Sequence, residues 1–143
     1  MAQLIEFALR HPLLVGGTLI AVIAVLVYEI RVRSHSGVAV PAQEAVRLIN
    51  QGATVVDVRE AARFEGGHIV DAVNIAPDEL AAKAETRLKK KRPVLLVCDN
   101  GSQSGRLVNT LRKAGFDSTW SLDGGLAAWQ RDNLPVVASR ARA

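Results

Sequence analysis

Between His11 and Tyr28 no side chain carries a full charge, and from Leu13 to Tyr28 the chain is an almost unbroken aliphatic run. A helix buried against a globular core normally keeps a polar face toward water, and this stretch has none. As a helix, the eighteen residues 13–30 reach ~27 Å, close to the ~30 Å hydrocarbon core of a bilayer. The Leu, Ile and Val residues of that span favour insertion by on the order of 3 to 6 kcal/mol, before Gly16, Gly17 and Thr18 subtract. Pro12 suits a helix start, Tyr28 an interfacial position, and Glu29, Arg31 and Arg33 a return to water. The expectation is one transmembrane helix at 13–30, preceded by a short tail at 1–12 and followed by a polar linker at 31–37. A cleaved signal peptide is the alternative. It needs a shorter apolar region with a small-residue cleavage site nearby, and Gly37-Val38-Ala39 lies about nine residues past the run, across two arginines. Arg31 and Arg33 outnumber Arg10, so the C-terminal side is expected in the cytoplasm.

This run explains the composition. Apolar residues make up 49% of the 143, and aromatics only 4%. The residues after the run have an ordinary globular balance. Charge divides in the same way: 18 basic against 14 acidic residues leave +4. Arg31, Arg33, Arg140 and Arg142 lie outside residues 38–137, which are close to neutral. No dense basic face with interleaved aromatics appears, so nucleic acid is not an expected partner. Cys98 is the one cysteine, which excludes an internal disulfide and multi-thiolate zinc sites. His11, His35 and His68 fall in three separate segments, so no metal site is expected. A lone cysteine fits a reducing compartment.

From Val38 onward, short apolar strands alternate with helical patterns. Pro41 opens a helix with Ala42, Ala45, Leu48 and Ile49 on one face, ended by Gly52. Thr54–Val58 is a β-branched strand, 59–67 a loop or short helix, and Val70–Ile75 holds another short strand. Asp78 is placed to cap a helix through Ala84 that continues to Lys91, with Lys89–Arg92 as its basic end. That basic end faces solvent or, given the tether, anionic lipid. Val94–Cys98 is continuously apolar, as buried parallel strands are. Ser104–Ala114 is helical, Ser118–Leu122 a strand, and Leu126–Gln130 a last helix. The fold class expected is α/β: a three-layer domain at 38–137 with a central, mostly parallel sheet, followed by a basic tail at 138–143. Sites in such sheets lie at the carboxyl ends of strands, where Cys98 and Asp57 both fall.

Cys98-Asp-Asn-Gly-Ser-Gln-Ser104 runs from a strand end to a helix start. In so small and polar a loop, backbone N–H groups turn toward the sulfur, and the helix directs its positive end at the same point. That setting favours the thiolate, which is the nucleophilic form.

These residues, with Asp57-Val-Arg59-Glu60, Phe64, Gly67-His68-Ile69, Ala72, Asn74-Ile75, Asp123-Gly124-Gly125, Trp129 and Leu134-Pro-Val136, resemble the rhodanese family in order and spacing across about 40–137. With the N-terminal run, the chain resembles a bacterial membrane-anchored single-domain rhodanese. The resemblance implies a five-stranded parallel sheet between helices and a ping-pong sulfurtransferase. In that reaction Cys98 takes a sulfane sulfur as a persulfide, without any other cofactor, and passes it to a thiol or protein acceptor. A related phosphatase architecture needs an arginine six residues after the cysteine, and here that residue is Ser104. The active-site loop implied is Asp99, Asn100, Gly101, Ser102, Gln103 and Ser104. Arg106 is a candidate electrostatic support, and Asp57 and Arg59 organise the neighbouring strand end. His68 and Trp129 are expected to be packing residues.

One departure stands out. Active family members often carry basic residues directly after the cysteine and at the loop's last position, where this chain has Asp99 and Gln103. A carboxylate ~6 Å from a thiolate costs roughly 1–3 kcal/mol, against ~0.3–2 kcal/mol contributed by the helix N-terminus. The expectation is therefore weak thiosulfate turnover, or a different donor such as a protein persulfide. The alternative is an interaction module held at the inner membrane, whose partners would be lipid and another membrane protein.

Overall fold

The computed structural model describes residues 10–33 and 38–139, without the side chains of 29–33. Residues 1–9 of the expected tail at 1–12, 34–37 of the linker expected at 31–37 and 140–143 of the basic tail expected at 138–143 lie outside the described residues, and residues 31–33 of that linker continue the helix instead. The chain divides into two compact units, Met1–Gly37 and Val38–Ala143.

In the first unit, α1 runs Pro12–Arg33. Thr18 Oγ1 donates to Leu14 O at 2.8 Å, so the hydroxyl in the middle of the run is satisfied within the helix. The side chains stand free: Leu13 is 91% exposed and Ile20 70%. Among the described residues no helix is long and apolar enough to cross a membrane. The span expected at 13–30 includes Glu29 and Ile30, whose side chains are outside the description. The seventeen residues from Pro12 to Tyr28 reach ~26 Å, short of the ~30 Å core.

The second unit is α/β. Its elements are β1 (Ala39–Val40), α2 (Ala42–Asn50), β2 (Thr54–Asp57), α3 (Ala61–Gly66), β3 (His68–Ile69), β4 (Val73–Asn74), α4 (Leu80–Arg87), β5 (Val94–Val97), α5 (Ser102–Lys113), β6 (Thr119–Leu122), α6 (Gly125–Arg131) and β7 (Val136–Val137). Five strands form one sheet in the order β1-β6-β5-β2-β4, every pairing parallel. The remaining two, β3 and β7, pair antiparallel as a small separate sheet.

The period of two along β5 sorts the core. Val94, Leu96 and Cys98 face one layer with Val56, Leu80, Ala84, Val108, Leu111 and Phe116. Leu95 and Val97 face the other, with Val40, Ala45, Val55, Leu122, Leu126 and Trp129. All four β5 residues are buried. Full burial of a Leu or Val side chain is worth about 1.5–3 kcal/mol, so this central strand contributes strongly to stability. The same alternation decides that Cys98 emerges on the α4–α5 side of the sheet.

Three boundaries differ from the pattern reading. Helix α4 ends at Arg87, because Leu88 is extended and buried in the core; Lys89–Arg92 is a turn closed by Arg92 N–H on Lys89 O. Asp78 lies in a turn, and the residue at the α4 N-cap is Glu79, with no side-chain cap bond. Helix α5 begins at Ser102, two residues earlier than periodicity places it, because Gly101 takes φ +86° and turns the loop directly into helix.

Candidate active site

Cys98 follows the last residue of β5 and is 2% exposed. Gly101 N–H and Ser104 N–H both donate to its Sγ, at 3.1 and 3.4 Å. Because α5 starts at Ser102, the Ser104 amide belongs to the helix's first turn. It is one of the donors that no intrahelical carbonyl satisfies. Ser104 Oγ lies 3.3 Å from Sγ and 2.8 Å from Ser121 Oγ on β6. Ser104 Oγ also reaches Gly101 O at 3.2 Å. With Ser121 donating to Ser104, the single Ser104 proton has two acceptors, Gly101 O and the sulfur. Such bonds strengthen when the sulfur is ionised.

The loop is clamped from a second side. Leu126 N–H donates to Cys98 O at 2.8 Å and Ala127 N–H to Asp99 O at 3.0 Å. The Asp123-Gly124-Gly125 turn allows this approach: a Cβ on Gly125 would stand 2.4 Å from Cys98 O, and Gly125 has φ +57°. Asn100 Oδ1 accepts from Ser102 N–H at 3.1 Å and from Ser102 Oγ at 2.8 Å, bracing the turn into α5.

Asp57 and Arg59 form a buried ion pair. Arg59 Nη2 and Nε donate to Asp57 at 2.6, 3.0 and 3.1 Å, and Nη2 also donates to Gly67 O at 2.7 Å. Asn74 Nδ2 donates to Asp57 O and Arg59 O, tying β4 to the same strand end. The Arg59 guanidinium is held above its ordinary pKa, first by its hydrogen bonds to Asp57; burial acts against this, and the charges of Asp57, Asp99 and Cys98 add to it. Arg59 is therefore a permanent cation within electrostatic reach of the thiol. Asp57 pairs in register with Val97 and so lies on the sheet face opposite Cys98; it acts through Arg59.

Asp99 is not a bare charge beside the sulfur. Arg63 Nη1 on α3 donates to its Oδ2 at 2.7 Å, and Arg59 Nη1 stands 3.8 Å from Oδ1. This pairing changes the balance expected from sequence, in which Asp99 opposed the helix unscreened. Arg106 is exposed on α5, and among the described residues no hydrogen bond or ion pair joins it to the loop. Gln103 is exposed as well. The structure thus gathers Cys98, Asp99, Asn100, Gly101, Ser102, Ser104, Asp57 and Arg59, and leaves Arg106 at the periphery. It adds Arg63 and Ser121, which pattern reading passed over. Ser121 had a signal, a serine in an otherwise buried strand; Arg63, 36 residues from Asp99, had none. His68 is buried, stacked on Phe64 at 3.8 Å with Nδ1 against Phe64 O, and Trp129 Nε1 donates to Pro135 O within the core.

Two hollows adjoin the loop. One of about 450 Å³ is lined by Arg59, Arg63, Gly67, Asp99, Leu126 and Gln130. The other, about 670 Å³, is lined by Arg59, Arg63, Glu60, Asn74, Asp99 and Gln103 among others.

Comparison with known proteins settles the family: the sequence pattern of the rhodanese-like domain matches residues 41–132. The chain belongs to the rhodanese-like domain family. This rhodanese-like chain is 35% identical to the uncharacterized protein YibN of Escherichia coli (strain K12), over 98% of its own length and all of that protein's. It is 35% identical to the thiosulfate sulfurtransferase GlpE of Pseudomonas savastanoi, over 64% of its own length and 85% of that protein's. Among solved structures, the Alr3790 protein of Anabaena sp. superposes with a TM-score of 0.65 at 30% identity, over 71% of this chain and 94% of that one. The rhodanese-related protein of Thermoplasma volcanium superposes at 0.63 and 28%, over 69% and 96%.

Proposed function

We propose that the chain is a membrane-anchored sulfurtransferase in which Cys98 carries sulfane sulfur as a persulfide to an external acceptor. The carrying observation is the pair of backbone N–H groups on Cys98 Sγ, in a loop braced by α5 and by the Gly124-Gly125 turn. The Cys98 thiolate attacks the outer sulfur of the donor. A sulfur–sulfur bond forms, the donor's own bond to that sulfur breaks, and the leaving group departs with the electron pair: sulfite from thiosulfate, or a thiolate from a persulfide. The thiol proton goes to solvent. An acceptor thiolate then attacks the outer sulfur of the persulfide, and Cys98 leaves as thiolate. Gly101 N–H, Ser104 N–H and the Ser104 hydroxyl stabilise the sulfur anion at the start and end of the cycle, and the Arg59 cation adds to their effect. The likeness to a thiosulfate sulfurtransferase supports the reaction class.

The exposed aliphatic side chains of α1 support the anchor, since an uncovered apolar surface marks an interaction site and a bilayer is one such partner. The Arg31 and Arg33 excess supports an inner-membrane topology with the domain in the cytoplasm. The second reading, a tethered interaction module, draws on Asp99, an acidic residue directly after the cysteine. Full-length protein incubated with thiosulfate, and separately with polysulfide, distinguishes the two. The enzyme gains about 32 Da, one sulfur atom, on Cys98, and C98S gains none. No gain from either donor would sink the sulfur-transfer reading.

A further inference from the structure

Of the two hollows beside the loop, the larger lies on the side of the sheet where Cys98 emerges. Its walls include Glu79 and Lys83 at the start of α4 and Gln103 on α5, and both helices pack on the Cys98 face. The smaller is bounded by Leu126, Ala127 and Gln130 of α6, which packs on the opposite face. The larger measures about 670 Å³, within the ~300–1,000 Å³ of ligand pockets. Seven of its lining residues are charged, three cations and four carboxylates. Every cation is already matched: Arg59 by Asp57, Arg63 by Asp99 and Lys83 by Glu79, at 2.6, 2.7 and 2.6 Å. Two carboxylates are left over, Glu60 and Asp78. Both are exposed, and among the described residues neither carboxylate makes a hydrogen bond or ion pair. Glu60 is the N-cap residue of α3 and Asp78 lies in the turn leading into α4, yet neither helix entry takes a side-chain cap bond. The cleft therefore carries two negative charges that the fold does not use, on two separate elements, beside the loop that holds the thiol.

We infer that this cleft receives the sulfur acceptor, and that Glu60 and Asp78 select a protein segment whose accepting cysteine is flanked by basic residues. The role as acceptor rests on the sulfur-transfer reading; the preference of the cleft for a basic segment does not. A free aminothiol brings one cation. Two carboxylates on separate elements match two, one on either side of a cysteine. Acidic flanks meet repulsion at the same two points, so the cleft discriminates by rejection as well as by attraction. Basic neighbours also lower the pKa of the acceptor thiol and raise the fraction present as thiolate at neutral pH. In the step itself the acceptor's proton has gone to solvent, and its thiolate attacks the outer sulfur of the Cys98 persulfide. One sulfur–sulfur bond forms, the bond from Cys98 to that sulfur breaks, and Cys98 keeps the electron pair as thiolate. Glu60 and Asp78 take no part in bond making.

The test uses the full-length protein in nonionic detergent and two synthetic peptides, one with lysines on both sides of a central cysteine and one with glutamates there. Versions with serine in place of the cysteine are unreactive, and fluorescence anisotropy follows their binding. The lysine-flanked serine peptide should bind at least about tenfold more tightly than its glutamate counterpart, and the ratio should shrink as salt is raised. E60Q/D78N should bring that ratio below about threefold, with E60Q and D78N each part of the way. D117N, which removes an exposed carboxylate beyond the far end of α5, should leave it unchanged. From protein loaded with persulfide, the lysine-flanked cysteine peptide should take sulfur with a kcat/KM about tenfold higher, chiefly through KM, and E60Q/D78N should erase the difference. Equal binding of the two serine peptides would overturn the inference, as would a preference that survives E60Q/D78N. Charge-selective binding with no sulfur passed to either cysteine peptide would uphold the basic-segment site and overturn sulfur transfer, so the two readings fail separately.

Discussion

At the scale of single residues, the site separates groups that hold the sulfur from groups that hold the loop. Ser121 belongs to the first kind, acting at one remove through Ser104. Replacing it with alanine removes one hydrogen bond, worth ~1 kcal/mol net, so S121A should form the persulfide about fivefold more slowly. Its thermal midpoint should stay within a few degrees of the parent's. A stopped-flow trace of Cys98 alkylation reads the same defect without any donor. Asp57 belongs to the second kind. Taking away its carboxylate strands a buried guanidinium, a loss typically of 3–5 kcal/mol. D57A should therefore fail on urea unfolding, and salt should not change that loss as it changes exposed pairs. Arg59 is held above its ordinary pKa, so its folded-state charge is complete below that range and would be lost only at extreme alkaline pH. Any pH dependence of transfer between neutral and mildly alkaline conditions must come from another group.

At the scale of elements, the decisive contact is between the Cys98 loop and the start of α6. Gly125 holds φ +57° and has no room for a methyl group against Cys98 O and the Asn100 amide. G125A should destabilise the domain by at least ~1–2 kcal/mol and disturb the Leu126 and Ala127 bonds to the loop. Chemical denaturation together with Cys98 accessibility to a maleimide would report both effects. L96A on the central strand should cost ~3 kcal/mol by cavity formation while leaving loop geometry intact. Most of these elements were legible in the sequence, because a continuous Val94–Val97 run and the Val108–Leu111 spacing on α5 are local signals. The boundaries were less so. Lys89–Arg92 reads as helix by composition, yet burial of Leu88 pulls the chain into an extended conformation before it. The pairing of β3 with β7 joins residues about seventy positions apart, and two-residue strands carry no periodicity to read.

At the scale of the whole molecule, the chain combines a bare aliphatic helix with a rhodanese-like domain. On the anchor reading, full-length protein should remain in the membrane pellet through an alkaline carbonate wash, whereas a chain beginning at Val38 should appear in the supernatant. Recovery of both in the same fraction would remove the anchor from the proposal. The sequence by itself determined the α/β alternation, the apolar N-terminal run and the place of Cys98 at a strand end, since each depends on neighbours within a few positions. The tertiary structure decided what surrounds the sulfur. Arg63 meets Asp99 across 36 residues and Ser104 meets Ser121 across 17, while Arg106, nearer in sequence, stays in solvent. Charge and hydrogen bonding act through space, so whether Asp99 stands as a bare charge or in an ion pair was fixed only when α3 packed beside the loop.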